Sequence, residues 1–375
     1  MNNKKLKIAW ISSYLPRSCG IAYYSVDYIE EIKKFNKHLD IKVISHTDGK
    51  EADYPIIDLK NPAWPEKVFN KIKKIKANLV HIQHEYGLYD SPPKNTKLLQ
   101  LIKKLKKAKI PTVITYHSIL AKIPADQKPF VKKSMKLADA KILHCEYQKE
   151  ALPKNIKFIP KNVYVIPHGS REDIKLDKHK CKSIFNYPGK NVVGMAGLAS
   201  ERKGFDRVIS LWPEISKKLK NTLLLIELKP HIAQESIETI SKISLLVSTN
   251  KAKDSMELII KDYGREEFYQ KLKSFDILVL PYLSESQSGV LAHAFATHTP
   301  AVVTDIEGLG YEIKKSKAGI AVKNDKELKN AIINLMKNPR LRKKMEENAK
   351  KYVKYYSGWS IIARKTLEIY QDILE

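Results

Sequence analysis

The fold prediction rests on one stretch, residues 277–304, which reads I-L-V-L-P-Y-L-S-E-S-Q-S-G-V-L-A-H-A-F-A-T-H-T-P-A-V-V-T. Two short apolar runs, Ile277–Leu280 and Ala301–Thr304, have the length and composition of buried strands. A longer apolar segment, Val290–Ala296, lies between them and has the length of a helix. The order strand, loop, helix, strand predicts a βαβ unit on a parallel sheet.

Outward from this stretch, short β-branched runs alternate with longer lysine-rich amphipathic segments along the chain. The other predicted strands are Lys7–Ser12, Ile41–Ser45, Leu79–Gln83, Thr112–Tyr116, Lys141–His144, Val163–Ile166, Val192–Met195, Thr222–Ile226 and Ser244–Val247. The other predicted helices include Ala22–Phe35, Pro65–Ile75, Lys97–Ala108 and Phe205–Lys218. This alternation is typical of α/β domains with doubly wound parallel sheets.

The pattern restarts in the second half of the chain, after the charged segment Ser170–Lys182, which we interpret as linker or surface. We therefore predict two Rossmann-like domains, residues 1–170 and 171–355. Ligands of such sheets bind at the carboxyl ends of the strands, so two facing sheets would hold a ligand in the cleft between them.

The composition restricts the partners and the compartment. The 375 residues include 68 Lys and Arg against 41 Asp and Glu, a net charge of +27. Such a charge favours anionic partners, namely nucleic acid, an anionic membrane face or phosphorylated ligands, although a solvated lysine-rich surface is the plain alternative. The three cysteines lack CxxC spacing, which suits a reducing cytosol. The N-terminal residues 1–15 are too interrupted for a signal peptide, and we interpret them as leading into the first strand.

Several families are disfavoured because their motifs are absent from the sequence. It has no GxxxxGK[ST] loop, no GxGxxG after the first strand, no HExxH and no GxSxG. It also lacks a DxD pair, the carboxylates that would hold a divalent metal on a sugar nucleotide.

Polar residues follow several predicted strands of the first half. Gly20 lies in the loop at residues 12–21, just before a helix, where free N–H groups and the helix dipole suit phosphate. His84, Glu85 and Tyr86 come directly after one strand, and His117 ends the next. These groups suit a ligand site, with an ordinary turn or a structural histidine as the alternative.

Two loops of the second half suit an anionic ligand. The loop at residues 197–204, G-L-A-S-E-R-K-G, begins with Gly197 and contains Arg202 and Lys203, charge-assisted donors for a diphosphate. The second loop contains Glu285, a hydrogen-bond acceptor for sugar hydroxyls. It ends at a helix start where the N–H groups of Ser288, Gly289 and Val290 would face a phosphate.

Together these segments resemble glycosyltransferase family 4, whose members have the two-domain GT-B fold. The resemblance spans nearly the whole chain and involves several segments in order. The segments are P-R-S-C-G-I-A (16–22), H-I-Q-H-E-Y-G (81–87), T-Y-H-S (115–118), I-P-H-G (166–169), the loop 197–204 and E-S-Q-S-G-V-L-A-H-A-F-A-T-H-T-P-A-V-V (285–303). The first two indicate a subgroup with a CGIA loop.

The resemblance implies a role for each matched residue. Glu285 would hold hydroxyls of the donor sugar, Lys203 the diphosphate, and His117 would lie beside the transferred sugar. Gly20 would approach the phosphate, while His84, Glu85, Tyr86 and His168 would lie on the acceptor side. The family retains anomeric configuration and needs no metal or other cofactor. Its last helix, here within residues 356–375, crosses back to the N-terminal domain.

Three positions depart from the family pattern. His293 stands where the family has the glutamate that holds the ribose, and Leu198 where it has a diphosphate arginine. His298 replaces a glycine. Arg202 is in the same loop as Leu198, so it could replace the missing cation.

The resulting hypothesis is transfer of a hexose, mannose or glucose, from a nucleoside-diphosphate sugar to a hydroxyl of a glycan or lipid-linked acceptor. The amphipathic helix at Lys97–Lys109 could place a cytoplasmic enzyme on the anionic inner face of a membrane. An inverting transferase with Glu85 or His84 as base, and a non-catalytic nucleotide-sugar- or carbohydrate-binding protein, are the alternatives. No nucleic-acid partner is expected, because no nucleic-acid-binding motif is recognisable.

Overall fold

The computed structural model describes residues 6–90, 96–230 and 234–375. The first five residues of the N-terminal stretch interpreted above are therefore outside the described chain. The chain forms two compact units. Unit 1 consists of Met1–Gly169 and Trp359–Glu375, and unit 2 of Ser170–Gly358.

The described residues of unit 1 form a seven-stranded parallel sheet in the order β3-β2-β1-β4-β5-β6-β7. The strands are β1 Leu6–Ile11, β2 Leu39–His46, β3 Tyr54–Ile57, β4 Leu79–His84, β5 Thr112–Tyr116, β6 Ala140–Leu143 and β7 Val163–Val165. The helices between them are α1 Gly20–Phe35, α2 Trp64–Lys74, α3 Thr96–Lys107, α4 Lys128–Leu137 and α5 Glu146–Ile156. Every residue of β4 and β5 is buried, because helices cover both faces of a parallel sheet.

The described residues of unit 2 form a six-stranded parallel sheet in the order β10-β9-β8-β11-β12-β13. The strands are β8 Asn191–Leu198, β9 Thr222–Lys229, β10 Met256–Ile260, β11 Ile277–Leu280, β12 Ala301–Thr304 and β13 Gly319–Val322. The helices are α6 Lys178–Ile184, α7 Phe205–Ser216, α8 Gln234–Ser248, α9 Arg265–Ser274, α10 Gly289–Ala296, α11 Glu307–Ser316, α12 Asp325–Lys337 and α13 Pro339–Tyr352. Because β8 and β11 are neighbours, the loops that follow them lie at the same sheet edge.

The last helix, α14 Trp359–Leu374, belongs to unit 1 and packs on α1. The Trp359 ring lies 5.1 Å from the rings of both Tyr24 and Tyr28. Further along α14, Thr366 is hydrogen-bonded to the Tyr28 hydroxyl, and the Tyr370 hydroxyl lies 2.5 Å from His81 Nδ1. Unit 1 is therefore built from both ends of the chain.

The structure corrects one local prediction. Ser244–Val247 is not a strand but part of α8, whose buried positions Ser236, Thr239 and Ile243 follow the helical period. In Ser170–Lys182, interpreted as linker or surface, residues 171–180 are exposed or partly exposed, whereas Ser170 is buried and its hydroxyl donates to the Ala292 carbonyl at 3.0 Å. The second part of that segment begins α6 and is anchored by an ion pair from Lys182 to Asp276 at 2.7 Å.

Candidate active site

The loop after β8 forms a single helical turn that exposes Arg202 and buries Lys203. Glu201–Lys203 make one 3₁₀ turn, closed by Gly204 at φ 60°. Glycine suits this left-handed residue, and a Cβ there would lie 2.4 Å from the Pro281 carbonyl oxygen. The Leu283 N–H donates to the Arg202 carbonyl at 2.8 Å, which ties this loop to the loop after β11.

The two loops bring Lys203, Arg202 and Glu285 together. Lys203 Nζ lies 2.5 Å from Glu285 Oε2, and an Arg202 guanidinium nitrogen lies 3.7 Å from Glu285 Oε1. Lys203 Nζ also lies 3.8 Å from the centre of the Tyr282 ring, so a cation–π contact supports it from a second side. Two cations share one carboxylate, and the cluster retains one positive charge for an anionic ligand.

The N-terminus of α10 follows Glu285 directly. Ser288 is its N-cap, and its Oγ accepts a hydrogen bond from the Leu291 N–H at 3.3 Å. The first N–H groups of a helix have no partner within the helix, so those at Gly289 and Val290 are available to an anion. Three predicted donor-side features, namely the two loops and this helix start, are thus in unit 2.

The three departures from the family pattern lie in different settings. His293 is one turn into α10, its Nδ1 3.0 Å from the Tyr269 hydroxyl and its ring edge-on to Tyr269 and Phe268. Leu198 ends β8 and is 37% exposed. His298 has a φ of 55°, a left-handed conformation that explains why a glycine suits this position. Burial lowers the pKa of His298 to about 4.

Gly20 is the first residue of α1 and is exposed. Apart from its two chain neighbours and the backbone of α1, no atom of the described residues comes within 4 Å of where its Cβ would be. Packing within the chain therefore does not require a glycine at position 20. Only the close approach of a ligand would exclude a larger side chain there. Gly197, by contrast, has a φ of 156° beside the loop that carries Lys203.

His117 is part of a buried hydrogen-bonded chain that crosses the sheet of unit 1. His117 Nε2 donates to Gln83 Oε1 at 3.0 Å, and Gln83 Nε2 donates to His81 Nε2 at 3.2 Å. On the other side, His117 Nδ1 lies 3.3 Å from His144 Nε2. Both ring nitrogens of His117 thus have partners in the protein, and contact with a sugar would require exchange of one of them.

Tyr24 of α1 links the histidines at this edge of the sheet. Its ring lies 4.8 Å from His117, 4.9 Å from His168 and 5.9 Å from His144. His168 Nδ1 donates to the Gly169 carbonyl at 2.9 Å. Burial keeps these imidazoles neutral: it lowers the pKa of His144 to about 3 and of His168 to about 4, and depresses the pKa of His117 strongly.

The predicted acceptor-side residues at the end of β4 differ in accessibility. His84 is fully buried, stacked on Phe130 at 4.6 Å, and burial lowers its pKa to about 3. Glu85 is half-buried, and its carboxylate accepts hydrogen bonds from the Ser118 hydroxyl at 2.5 Å and the Tyr86 N–H at 2.8 Å. Burial, followed by the nearby Glu85 charge, raises the pKa of Tyr86.

The residues that organise these groups were not predicted from the sequence. Gln83 was predicted only as the last residue of a strand, whereas it bridges His81 and His117. The sequence around Tyr24 and Tyr282 does not indicate a role in a site, because an aromatic residue in a helix or at a strand end is usually part of the core. Among residues 6–90, 96–230 and 234–375, no group of three or more His, Cys, Asp and Glu side chains is placed to hold a metal ion.

Comparison with known proteins gives a family match within unit 2 and a relative that spans the chain. Residues 177–352 match the sequence model of the family described as glycosyl transferases group 1. An uncharacterized glycosyltransferase of Methanocaldococcus jannaschii, MJ1178, is 22% identical over 98% of this chain and 99% of its own length.

Solved structures show the fold. A glycosyltransferase from Rickettsia africae superposes with a TM-score of 0.78 at 18% identity, covering 99% of both chains. Sucrose-phosphate synthase from Thermosynechococcus elongatus gives 0.77 at 18% identity, covering 98% of both. HepE from Anabaena, in complex with UDP-glucose, gives 0.77 at 13% identity, covering 98% of this chain and 99% of its own.

The fold is therefore the GT-B fold of glycosyltransferases, as the sequence predicts. The family match and the relatives named glycosyltransferases support transferase activity, and the matched segment, residues 177–352, contains the cluster of Arg202, Lys203 and Glu285.

Proposed function

We propose that this protein transfers a hexose, glucose or mannose, from a nucleoside-diphosphate sugar to a hydroxyl of a glycan or lipid-linked acceptor, with retention and without a metal or other cofactor. The observation that carries the proposal is the contact between Lys203 and Glu285 at the start of α10. It combines a cation for a diphosphate, a carboxylate for sugar hydroxyls and free helix N–H groups at one sheet edge.

The residues of unit 2 take the donor. Lys203 and Arg202 bind the diphosphate, together with the N–H groups of Gly289 and Val290. Glu285 then accepts hydrogen bonds from the sugar. His293 replaces the ribose-binding glutamate of the resembled family, and its imidazole holds the ribose through a weaker hydrogen bond than a carboxylate would form.

The reaction needs no side-chain nucleophile. The bond between the anomeric carbon and the leaving phosphate oxygen breaks through an oxocarbenium-like transition state. The acceptor oxygen attacks the same face, and its proton passes to the departing phosphate. Because negative charge grows on the diphosphate, the fixed charges of Lys203 and Arg202 supply the largest part of the catalysis.

Residues of unit 1 are proposed to have roles of their own. His117 would contact the transferred sugar, Gly20 the phosphate, and Glu85, Tyr86, His84 and His168 would line the acceptor side. The resemblance to a subgroup with a CGIA loop supports these roles. We further propose a cytoplasmic location with peripheral contact to the anionic inner face of a membrane; among the described residues no helix is long and apolar enough to cross one.

The inverting alternative is tested by the stereochemistry of the product. Glu85 would be its base, since its carboxylate is half-buried and polar, whereas the His84 ring is enclosed by aromatic side chains. Proton NMR of the anomeric hydrogen in the first product formed distinguishes the two reactions. Retention supports the proposal, and inversion replaces it by the alternative.

Donor binding is tested by thermal-shift measurements against UDP-glucose, GDP-mannose and other nucleotide sugars. UDP-glucose comes first, because the similar HepE structure holds it. A bound donor raises the melting temperature by mass action. Stabilisation together with transfer to an acceptor supports the proposal, whereas stabilisation without turnover across a broad acceptor panel favours a non-catalytic binding protein.

A further inference from the structure

Unit 1 has a lysine-lined concavity that the proposed reaction does not use. It lies between α4 and the end of α5, and its volume is about 490 Å³. Its charged side chains are Lys128, Lys132, Lys133, Lys136 and Lys157, which we call the lysine groove.

The charge of the lysine groove is not balanced. Lys128, Lys132 and Lys136 are spaced four apart on α4, where like charges repel, and α4 contains no acidic residue. Among the described residues, none of the five lysines has an acidic side chain within ion-pair distance, 4.0 Å. Elsewhere in the unit lysines do find partners, such as Lys104 with Glu66 and Lys106 with Asp139.

Packing does not require this charge either. The inner face of α4 is apolar and buried, with Phe130, Val131 and Met135 in the core. The outer face contacts solvent, where alternating charges would serve solubility better than four lysines. The repulsion on this face is relieved when an external anion covers it.

An exposed apolar side chain lies beside the lysine groove. Ile159 is 81% exposed, more than any other large apolar residue among those the structure describes. It follows Phe158, whose ring centre lies 5.2 Å from Lys136 Nζ, and Lys157 precedes both. A protruding isoleucine flanked by lysines suits the boundary between lipid headgroups and acyl chains better than a small soluble anion.

We propose that the lysine groove and Ile159 dock this protein on an anionic phospholipid bilayer. The surface differs from the one suggested by sequence, helix α3, whose Leu98, Leu101 and Leu105 are buried in the core. The proposal deepens the membrane contact of the proposed function, but its test measures lipid binding alone. Failure to bind lipid and failure to transfer sugar are therefore distinguishable.

The test is co-sedimentation of the full chain with phosphatidylcholine vesicles, with and without phosphatidylglycerol. We expect binding only to the anionic vesicles. The double variant Lys132→Gln/Lys136→Gln should bind them roughly thirtyfold more weakly, at about 1 kcal/mol lost per lysine near the surface. The matched control Lys103→Gln/Lys107→Gln removes the same charge at the same spacing from α3 and should bind as the wild type.

A second pair of variants tests the apolar contact. Ile159→Ser should weaken binding about tenfold, while Leu59→Ser, which alters another exposed apolar residue of unit 1, should have no effect. Equal losses in both lysine variants, or no preference for anionic vesicles, would overturn the proposal. Calorimetry with inorganic tripolyphosphate gives a further test. If tripolyphosphate binding depends on Lys132 and Lys136 but vesicle binding does not, the lysine groove binds a soluble anion and the proposal is overturned.

Discussion

At the scale of single residues, Lys203 and Glu285 form an ion pair with each other. The Nζ of Lys203 is only 2.5 Å from Glu285, and both side chains are largely buried. In the proposed function a donor replaces each partner: its diphosphate binds the lysine, and its sugar hydroxyls bind the carboxylate. A ligand that supplies only one of these replacements leaves the other charge poorly paired in a partly buried site.

Replacement of Lys203 tests the role of its charge in the reaction. Lys203→Ala should lower kcat by 10²–10³-fold, since removal of one donor from a developing oxyanion typically costs about that much. Arg202→Ala should cost less, because the Arg202 side chain is more exposed and farther from Glu285. Initial rates of sugar transfer at saturating donor measure both. An undiminished rate in Lys203→Ala would remove the lysine from the mechanism.

Gln83 is expected to be a stability residue. Gln83→Leu removes hydrogen bonds to both His81 and His117 in a fully buried region, and should lower the free energy of unfolding by about 2 kcal/mol. The control Gln100→Leu makes the same change on the exposed face of α3 and should shift it by less than about 0.5 kcal/mol. Urea unfolding measures both. Equal effects would show that the buried chain of hydrogen bonds adds no stability.

At the scale of elements, the parallel strands gather histidines in the interior of unit 1. His81 and His84 are on β4, while His117 and His144 follow β5 and β6. Desolvation holds all four imidazoles neutral and lowers the pKa of His81, His84 and His144 from 6.5 to about 3. The unfolded chain binds protons at these residues near pH 6.5, but the folded chain does not.

This difference makes unit 1 sensitive to acid. As the pH falls below 6.5, each buried histidine lowers the free energy of unfolding by up to about 1.4 kcal/mol per pH unit. The loss continues until the pH reaches the folded pKa values near 3. Circular dichroism melts at decreasing pH should therefore show a steep fall of the melting temperature below about pH 6. A constant melting temperature between pH 7 and pH 4.5 would contradict this acid sensitivity.

Several elements could be predicted from sequence, and others could not, for physical reasons. The strands at Ile277–Leu280, Ala301–Thr304 and Thr112–Tyr116 lie where predicted, because their apolar runs are bounded by turn residues. The run at Ser244–Val247 is also apolar, but it belongs to the amphipathic helix α8. A run of four residues is too short to distinguish the period of a helix from that of a strand. Strands β3, β10 and β13 were missed; β3 and β13 are short, and β10 has partly exposed residues.

The candidate site was predictable only in part. The two loops after β8 and β11 could be predicted as ligand-binding, because ligands of parallel sheets bind at the carboxyl ends of the strands. The contact between Lys203 and Glu285 could not be derived, since it depends on the neighbouring order of the two strands and on the turn at Gly204. The hydrogen bond between His117 and Gln83 could not be predicted either, because nothing in the sequence distinguishes Gln83 from other residues of its strand.

At the scale of the whole molecule, the C-terminal helix α14 packs with β1 and α1 in unit 1. Helix α14 contributes Trp359, Ile362, Ile369 and Tyr370 to the core that also contains Trp10 and Tyr28. Unit 2, Ser170–Gly358, is by contrast one continuous segment with its own sheet. The two units should therefore respond differently when the end of the chain is removed.

Truncation tests this division. A chain ending at Gly358 should fold unit 2 but lose unit 1, because loss of α14 exposes large apolar surface and leaves the Tyr28 hydroxyl and His81 without partners. A fragment of residues 170–358 should melt cooperatively on its own. Calorimetry and size-exclusion chromatography measure both. A chain truncated at Gly358 that melts like the full chain would contradict the division.

In the proposed function, Lys203 holds the diphosphate of a nucleotide sugar and Glu285 holds its sugar. Both roles can be measured by calorimetric titration of the wild type, Lys203→Ala and Glu285→Gln with UDP and with UDP-glucose. We expect Lys203→Ala to weaken the binding of both ligands and Glu285→Gln to weaken only the binding of UDP-glucose. If the wild type binds UDP-glucose and both variants bind it with the same affinity, the proposed roles of Lys203 and Glu285 are contradicted.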